Sequence, residues 1–373
     1  MSTSSAKASR GVKATRPQSQ NGAAQPQLQS PSKPETTRPL QVAIVGCGYW
    51  GPNLIRNFSS APTTEVAMIC DRDPQRLERV SGLCPQAERV EDFREALADP
   101  NIDAVAIATP VGTHALLATA ALEAGKHVLI EKPLAASTRE AEHLVALAAK
   151  LGLTLMVDHT FIYSPAIRKI KELVQSGELG EIYYVDSVRI NLGLFQEDVN
   201  VIWDLAPHDL SIVDYILDRE PRSLTAMGTC HAGRDIEDVA YLNLDYGDNL
   251  IASFHVNWLS PVKVRNMIVA GSKKSLVYND LNFAEPIKVY DRGISVAETA
   301  EARHGVLISY RTGDIWSPHL EQQEPLQNVV RHFAHCIATK TTPLTDGVAG
   351  LRVVRILEAA QRSIKAQGGR LIM

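Results

Sequence analysis

Long apolar runs, paired cysteines and a basic excess are all missing from this sequence. No hydrophobic stretch approaches the ~18 residues that a membrane-spanning helix needs, so no membrane partner is expected. The five cysteines (Cys47, Cys70, Cys84, Cys230, Cys336) are odd in number, scattered and without any C-x-x-C pair. That excludes a disulfide framework and a cysteine zinc site, and points to a reducing, cytoplasmic setting. A net charge of −4 over 373 residues lacks the overall basic signature of a nucleic-acid binder. Internal repeats are absent too. What remains is an ordinary globular composition, 45% hydrophobic and 21% charged, on a chain long enough for two domains.

Residues 1–39 have almost no large apolar side chains. They set Lys7, Arg10, Lys13, Arg16, Lys33 and Arg38 against a single acid, Glu35. Such a segment cannot bury enough surface to offset its ordering entropy, so it reads as a disordered tail. It is Ser- and Arg-rich and acid-poor, as targeting peptides are, but has neither the apolar face of a transit helix nor the apolar core of a secretory signal. The fold is expected to start near Leu40.

From Gln41 short runs rich in Val and Ile ("QVAIVG", "EVAMICD", "DAVAIAT", "HVLIEK", "LTLMVDH") alternate with helical stretches. The runs are continuously apolar, as strands covered on both faces are. Gly125 and Gly152 stand where helix C-caps belong. Repeated strand–helix alternation predicts a doubly wound parallel α/β domain over residues 40–159. Beyond it the pattern changes to a helix, a long strand, a second helix and then strands with hairpin signals at "YGDN" and "GSKK", closed by two helices. Residues 160–373 are therefore expected to form an α+β domain on a large open, mostly antiparallel sheet that binds substrate and mediates oligomerisation.

The first strand runs into Gly46-x-Gly48-x-x-Gly51 and a helix, the context in which this motif binds a dinucleotide. Gly46 permits the tight turn, Gly48 lets backbone N–H groups approach a pyrophosphate, and Gly51 lets helix and strand pack closely. The phosphates would meet the helix N-terminus. Asp71 ends the second strand 20 residues after Gly51, placed to bind the adenosine ribose hydroxyls. It would repel a 2′-phosphate, which favours NAD; Arg72 beside it leaves NADP open. An acid directly before the glycines, the usual methyltransferase cue, is missing, since Ile44 and Val45 stand there.

Ligands of open α/β sheets lie beyond the carboxyl ends of the strands. Those ends carry Thr109, Pro110, Thr113 and His114 after the fourth strand, Glu131 and Lys132 after the fifth, and Asp158, His159 and Tyr163 after the sixth. Pro133 holds Lys132 toward an extended backbone, and a lysine beside a cationic nicotinamide is suited to proton transfer. In the second half, "VIWDLAPHDLSIVDYIL" reads as a helix with Asp204 as N-cap. His208, four residues on, would emerge on the same side, and a carboxylate beside an imidazole raises its basicity. His332 and His335 sit three apart on a helix, but no acid or cysteine cluster joins them, so they read as surface or packing residues and no metal is expected. Trp203, Trp258 and Trp316 read as core or subunit anchors, and Trp203 abuts Asp204.

The glycine motif with Tyr49 and Trp50, the "ATP" of Ala108–Pro110 with His114, Glu131-Lys132-Pro133 and Asp204-x-x-x-His208 resemble the Gfo/Idh/MocA oxidoreductases from about Leu40 onward. That resemblance implies a Rossmann domain plus an open sheet, NAD(P), and oxidation or reduction of a sugar or polyol hydroxyl. It also implies a catalytic group of Lys132, Asp204 and His208. Cofactor contacts would fall to Gly46, Gly48, Tyr49, Trp50, Gly51, Asp71, Arg72, Thr109, Pro110, His114, Glu131 and Lys132. The substrate would meet Lys132, Tyr163, Trp203 and His208. Stretches such as "FIYSPAIRKIKELVQSGELG" and "VNWLSPVKVRNMIVAGSKK" are similar to the branch of UDP-sugar 3-dehydrogenases, so a nucleotide sugar is the expected substrate. An inositol, other polyol or free aldose is the alternative, and a non-catalytic NAD-sensing regulator is the reading from another class. A homodimer or homotetramer is expected from one uncovered sheet face.

Overall fold

The computed structural model describes residues 38–193, 195–196, 199–232, 235–296 and 308–373. The expected disordered tail lies, as far as residue 37, outside the described residues. Six parallel strands, β1 (Leu40–Val45), β2 (Thr64–Cys70), β3 (Glu88–Val90), β4 (Ala104–Ile107), β5 (His127–Glu131) and β6 (Leu155–Asp158), form one sheet in the order β3-β2-β1-β4-β5-β6. The order reverses between β1 and β4, the switch point where such sheets open a crevice for ligands. Helices α1 (Gly51–Ser60), α2 (Pro74–Val80), α3 (Phe93–Ala98), α4 (Val111–Glu123) and α5 (Thr138–Leu151) connect these strands. Every residue of β4 is buried, as its unbroken apolar run requires. Asp73, Asp92 and Ser137 cap α2, α3 and α5 with side-chain acceptors. Gly152 ends α5 at φ +66°, and Gly125 follows the α4 cap at φ +77°, left-handed angles that suit glycine.

The second half runs α6 (Pro165–Gln175), β7 (Ile182–Leu192), α7 (Val201–Leu217), β8 (Ser223–Thr229), β9 (Val239–Gly247), β10 (Leu250–Asn257), β11 (Leu259–Gly271), β12 (Ser275–Asn279), β13 (Ile287–Val296), β14 (Ile308–Trp316), α8 (Pro325–Thr339), α9 (Gly347–Lys365) and β15 (Leu371–Ile372). Its nine strands make one sheet ordered β14-β13-β12-β11-β7-β10-β9-β8-β15. Among the described pairs β7–β10 is parallel and the rest are antiparallel. The "YGDN" hairpin turns through Asp248 and Asn249, both at positive φ, the pairing that matches strand twist. The "GSKK" hairpin closes with the Gly271 N–H donating to Lys274 O at 3.0 Å.

One buried cluster joins the inner face of this sheet to α7, α9 and part of the parallel sheet. A second lies on the α1 side of the parallel sheet, and there α8 completes the core: Leu326, Val329, Val330 and Phe333 bury against Val42, Ile44, Leu54 and Phe58. Phe58 and Phe333 meet edge to face at 6.4 Å, and Arg56 pairs with Glu324 at 2.6 Å. The loop before α9 covers the β6 edge, with the Val157 N–H donating to Thr345 O at 2.8 Å. Among the described residues no helix is long and apolar enough to cross a membrane.

Candidate active site

The turn from β1 into α1 is shaped by its glycines. Gly46 has φ +95°, and a Cβ there would lie 2.7 Å from Ala108 O; a Cβ on Gly51 would lie 2.1 Å from Gly46 O. At Gly48 a Cβ would meet nothing nearer than Arg76 Nη1 at 3.9 Å, so the missing side chain leaves open space above the turn. No side chain caps α1; Pro52 has no N–H and the Asn53 N–H turns back to Trp50 O at 2.9 Å, which leaves the Gly51 N–H at the helix start for an anion. Asp71 accepts from the Cys47 N–H at 2.7 Å and from the Asp73 N–H at 2.9 Å, which ties the acid to the loop it serves. Arg72 and Tyr49 are exposed at this edge. Arg76, unnoticed in the sequence, reaches within 3.9 Å of Asp71 and 3.3 Å of Asp73; its place in the first turn of the helix after Asp71 was the available signal. An open cradle, an uncapped helix and an acid at the second strand fit the pyrophosphate and ribose of a dinucleotide.

Three of the expected contacts are redirected into the protein. The His114 ring is buried, with one nitrogen 2.9 Å from Pro133 O and the other 2.8 Å from Thr109 O. It fastens the β4 and β5 loops together and offers neither nitrogen to a coenzyme. Tyr163 is fully buried in the second core with its hydroxyl 3.0 Å from Thr345 Oγ1, so it presents no polar atom to a substrate. Trp50 spends its indole N–H on Asp158 Oδ2 at 3.3 Å, linking the glycine turn to the end of β6. Thr109 accepts from the Thr113 hydroxyl at 2.7 Å beside exposed Pro110. His332 packs as expected, its Nε2 accepting from the Leu344 N–H at 3.0 Å.

The ends of β5 and β6 set Glu131 opposite Asp158. Burial, then the neighbouring Asp158 charge, pushes the Glu131 carboxyl well above its usual range, and burial also raises Asp158; two carboxylates this close cannot both ionise freely. Glu131 also accepts from the Lys132 N–H at 2.9 Å. The Lys132 side chain crosses to the second half, where Nζ donates to Asp204 O at 2.8 Å and stands 3.6 Å from Asp204 Oδ1.

Asp204 is not the N-cap. Asn200 caps α7, accepting from the Trp203 N–H at 3.1 Å, and Pro207 lies inside the helix. The helix starts a turn early because Asn200, like Asp204, has a capping side chain, and position 200 leaves Trp203 and Ala206 buried. Pro207 lacks the N–H that would bond the Trp203 carbonyl, and its ring crowds the preceding turn; the Asp204 carbonyl on that turn receives Lys132. The expected Asp204–His208 couple is replaced as well: Asp204 Oδ2 accepts from the Trp258 indole at 3.0 Å. Trp258, read from sequence as an anchor, thus orients the carboxylate from 54 residues away in the chain.

His208 lies one turn beyond Asp204, partly exposed, its ring edge-on to Phe161 at 5.1 Å. Among the described residues Nδ1 has no hydrogen-bond partner. Burial, then the charges of Lys132, Arg189 and Arg265, hold its pKa well below the usual value, so the imidazole is neutral. Behind Phe161 the Arg189 guanidinium lies 4.8 Å over the ring and is paired with buried Asp209 at 2.7 and 2.8 Å. Next to Asp204, Trp203 donates to Gln361 at 3.0 Å and lines a cavity of about 590 Å³ that also touches Pro110, Arg362 and Lys365. Lys132 and His208 are outside that lining, so the cavity adjoins the reacting groups through Trp203 without holding them.

Residues 40–159 match the oxidoreductase family with NAD-binding Rossmann fold, and residues 167–277 match the GFO/IDH/MocA C-terminal domain. The chain belongs to the Gfo/Idh/MocA oxidoreductases, NAD-binding enzymes acting on CH–OH groups of sugars and polyols. It is 31% identical to the uncharacterized oxidoreductase YdgJ of Escherichia coli over 64% of this chain and 70% of the relative. It is 28% identical to UDP-N-acetylglucosamine 3-dehydrogenase of Acidithiobacillus ferrooxidans over 84% of this chain and 94% of the relative. A solved structure of that enzyme superposes with a TM-score of 0.73, at 25% identity, covering 87% of this chain and 98% of the other. Inositol 2-dehydrogenase of Mycolicibacterium smegmatis is 26% identical over 83% of this chain and 88% of its own.

Proposed function

We propose that the protein transfers hydride between NAD and a secondary hydroxyl of a nucleotide sugar, at C3 of a UDP-N-acetyl sugar or its uronic acid. The observation that carries this reading is Lys132 Nζ docked on Asp204, one helical turn from a neutral His208. The nicotinamide, when bound, supplies the hydride acceptor. His208 takes the hydroxyl proton, which a neutral imidazole can do and a charged one cannot. Lys132 stabilises the negative charge that develops on the same oxygen. Asp204, fixed by Trp258, holds the ammonium in place. Gly46, Gly48, Gly51 and the start of α1 receive the pyrophosphate, with Asp71 on the adenosine ribose and Tyr49, Arg72, Thr109, Pro110 and Glu131 around the coenzyme.

The name of the Acidithiobacillus relative supports a nucleotide sugar. The inositol dehydrogenase relative favours a polyol as second reading. The test is NADH formation with UDP-N-acetyl sugars, their uronic acids, inositol and free aldoses. A kcat/KM for a nucleotide sugar ~100-fold above inositol, about 2.7 kcal/mol of differential transition-state binding, supports the first reading; the reverse order replaces it. NAD binding with no turnover on any of them would make the protein a sensor.

Five unpaired thiols support a reducing compartment. Met227, Tyr241, Ile251 and Tyr184 are exposed on β8, β9, β10 and β7, and His255 stacks on Tyr241 at 4.3 Å. This uncovered sheet face supports a homodimer or homotetramer, which light scattering on the eluting protein would read as a mass of two or four chains.

A further inference from the structure

His159 follows β6 directly and is buried to 1% exposure, yet among the described residues neither ring nitrogen has a hydrogen-bond partner. A buried imidazole left unpaired at both nitrogens is costly and calls for water. The ring borders a second cavity, of about 330 Å³, between α6, α7 and α9. At about 30 Å³ per water, the space holds several, and its wall offers them Ser211, Asp218 and Asp214, the last paired with Arg352 at 2.8 and 2.7 Å. The cavity lining stops short of Lys132, Asp204 and His208, and meets α7 at Ser211, three residues beyond His208. Ser211 lies on α7 with its hydroxyl donating to His208 O at 2.8 Å. Phe161, two residues after His159, touches the His208 ring.

We propose that His159 carries the proton released by the dehydrogenation out of the active site, from His208 through water to the rear cavity at Ser211, Asp214 and Asp218. The inference rests on the proposed roles of His208 and Lys132, not on which sugar is oxidised. Oxidation of the carbinol breaks its C–H and O–H bonds; hydride goes to the coenzyme and the proton to His208. Lys132 and Asp204 are only 17% and 21% exposed in their side chains before any ligand binds, so a seated sugar closes the direct way out. His208 gives its proton to a water, which protonates one nitrogen of His159 while the other nitrogen releases its proton to cavity water. A half-turn of the ring restores the first tautomer. Burial and the nearby Lys132 charge keep His159 at a pKa of about 3, neutral and able both to donate and to accept.

The test follows NADH and proton release together in one stopped-flow turnover, using a pH indicator and the sugar that the wild type oxidises. Wild type releases the proton in step with NADH. His159→Gln, which keeps polarity and size but cannot relay, is expected to form NADH while proton release lags ~10-fold or more, with free imidazole restoring the timing. Ala349→Leu narrows the same cavity and leaves His159 in place; it is expected to give the same lag without rescue. A structural role for His159 would slow both signals together and would not respond to imidazole. Synchronous release in both variants overturns the relay alone. If the wild type forms no NADH from any sugar, the dehydrogenase reading and the relay fall together.

Discussion

Replacing Lys132 with Met keeps the stem and removes the ammonium. An ammonium about 4 Å from a developing unit charge contributes roughly 4 kcal/mol at an effective dielectric of ~20, or about a thousandfold in rate. The Lys132 and Asp204 side chains are 17% and 21% exposed, so screening is partial and the expected loss in kcat is ~10²–10³-fold. The loss of stability should be moderate. Asp204 keeps its bond from Trp258 at 3.0 Å, and the lost hydrogen bond from the charged Lys132 is worth ~1.5–3 kcal/mol. NAD affinity, measured by fluorescence titration, should stay within ~3-fold, since the glycine turn and Asp71 are untouched. The assay is NADH formation at saturating sugar. A kcat within ~10-fold of wild type would refute the role given to the ammonium.

Trp258→Phe removes the indole N–H from Asp204 Oδ2; a lost hydrogen bond to a charged group costs ~1.5–3 kcal/mol, and kcat should fall ~10-fold with NAD affinity unchanged, as steady-state kinetics would show. Asp71→Asn cannot accept from both the Cys47 and Asp73 N–H groups. Titration should show NAD binding ~10–100-fold weaker and NADP less affected, because Arg76 loses one of its two acidic neighbours and keeps Asp73. His159 has its folded pKa lowered from 6.5 to about 3, so the folded state binds fewer protons than the unfolded one, and stability is lost as pH falls from about 6.5 toward 3. Between pH 7 and pH 5 wild type should lose ~2 kcal/mol relative to His159→Gln in urea unfolding. Taking the difference removes the opposite contribution of Glu131 and Asp158, whose raised pKa values favour the fold as pH falls. Equal pH slopes in the two proteins would contradict the buried neutral ring.

The parallel sheet was legible because its strands are buried on both faces and read as unbroken apolar runs. The glycine cradle was legible because each glycine answers to a backbone demand visible in the motif. Short elements were not: β3 and α3 are too brief to show a period, and β14 and β15 are edge strands without an apolar run. The start of α7 was misplaced because Asn200 and Asp204 carry equal local capping signals, and burial of Trp203 and Ala206 decides between them. Trp258 on Asp204, the His114 clamp and Tyr163 on Thr345 are contacts between distant segments. No local pattern encodes them, which is why Tyr163 and His114 were expected at ligands and found holding loops and core.

Helix α8 is contributed by residues 325–339 yet completes the packing around β1 and α1, with Phe333 against Phe58 and Glu324 on Arg56. The coenzyme half of the molecule is therefore not a contiguous stretch of the gene. A fragment ending near His159 would leave Leu54, Ile55 and Phe58 facing water, and a chimaera that exchanges only that stretch for another coenzyme preference would mismatch its own lining. Recombination between relatives should succeed where α8 travels together with the first 120 or so residues of the fold and fail where the two are inherited apart.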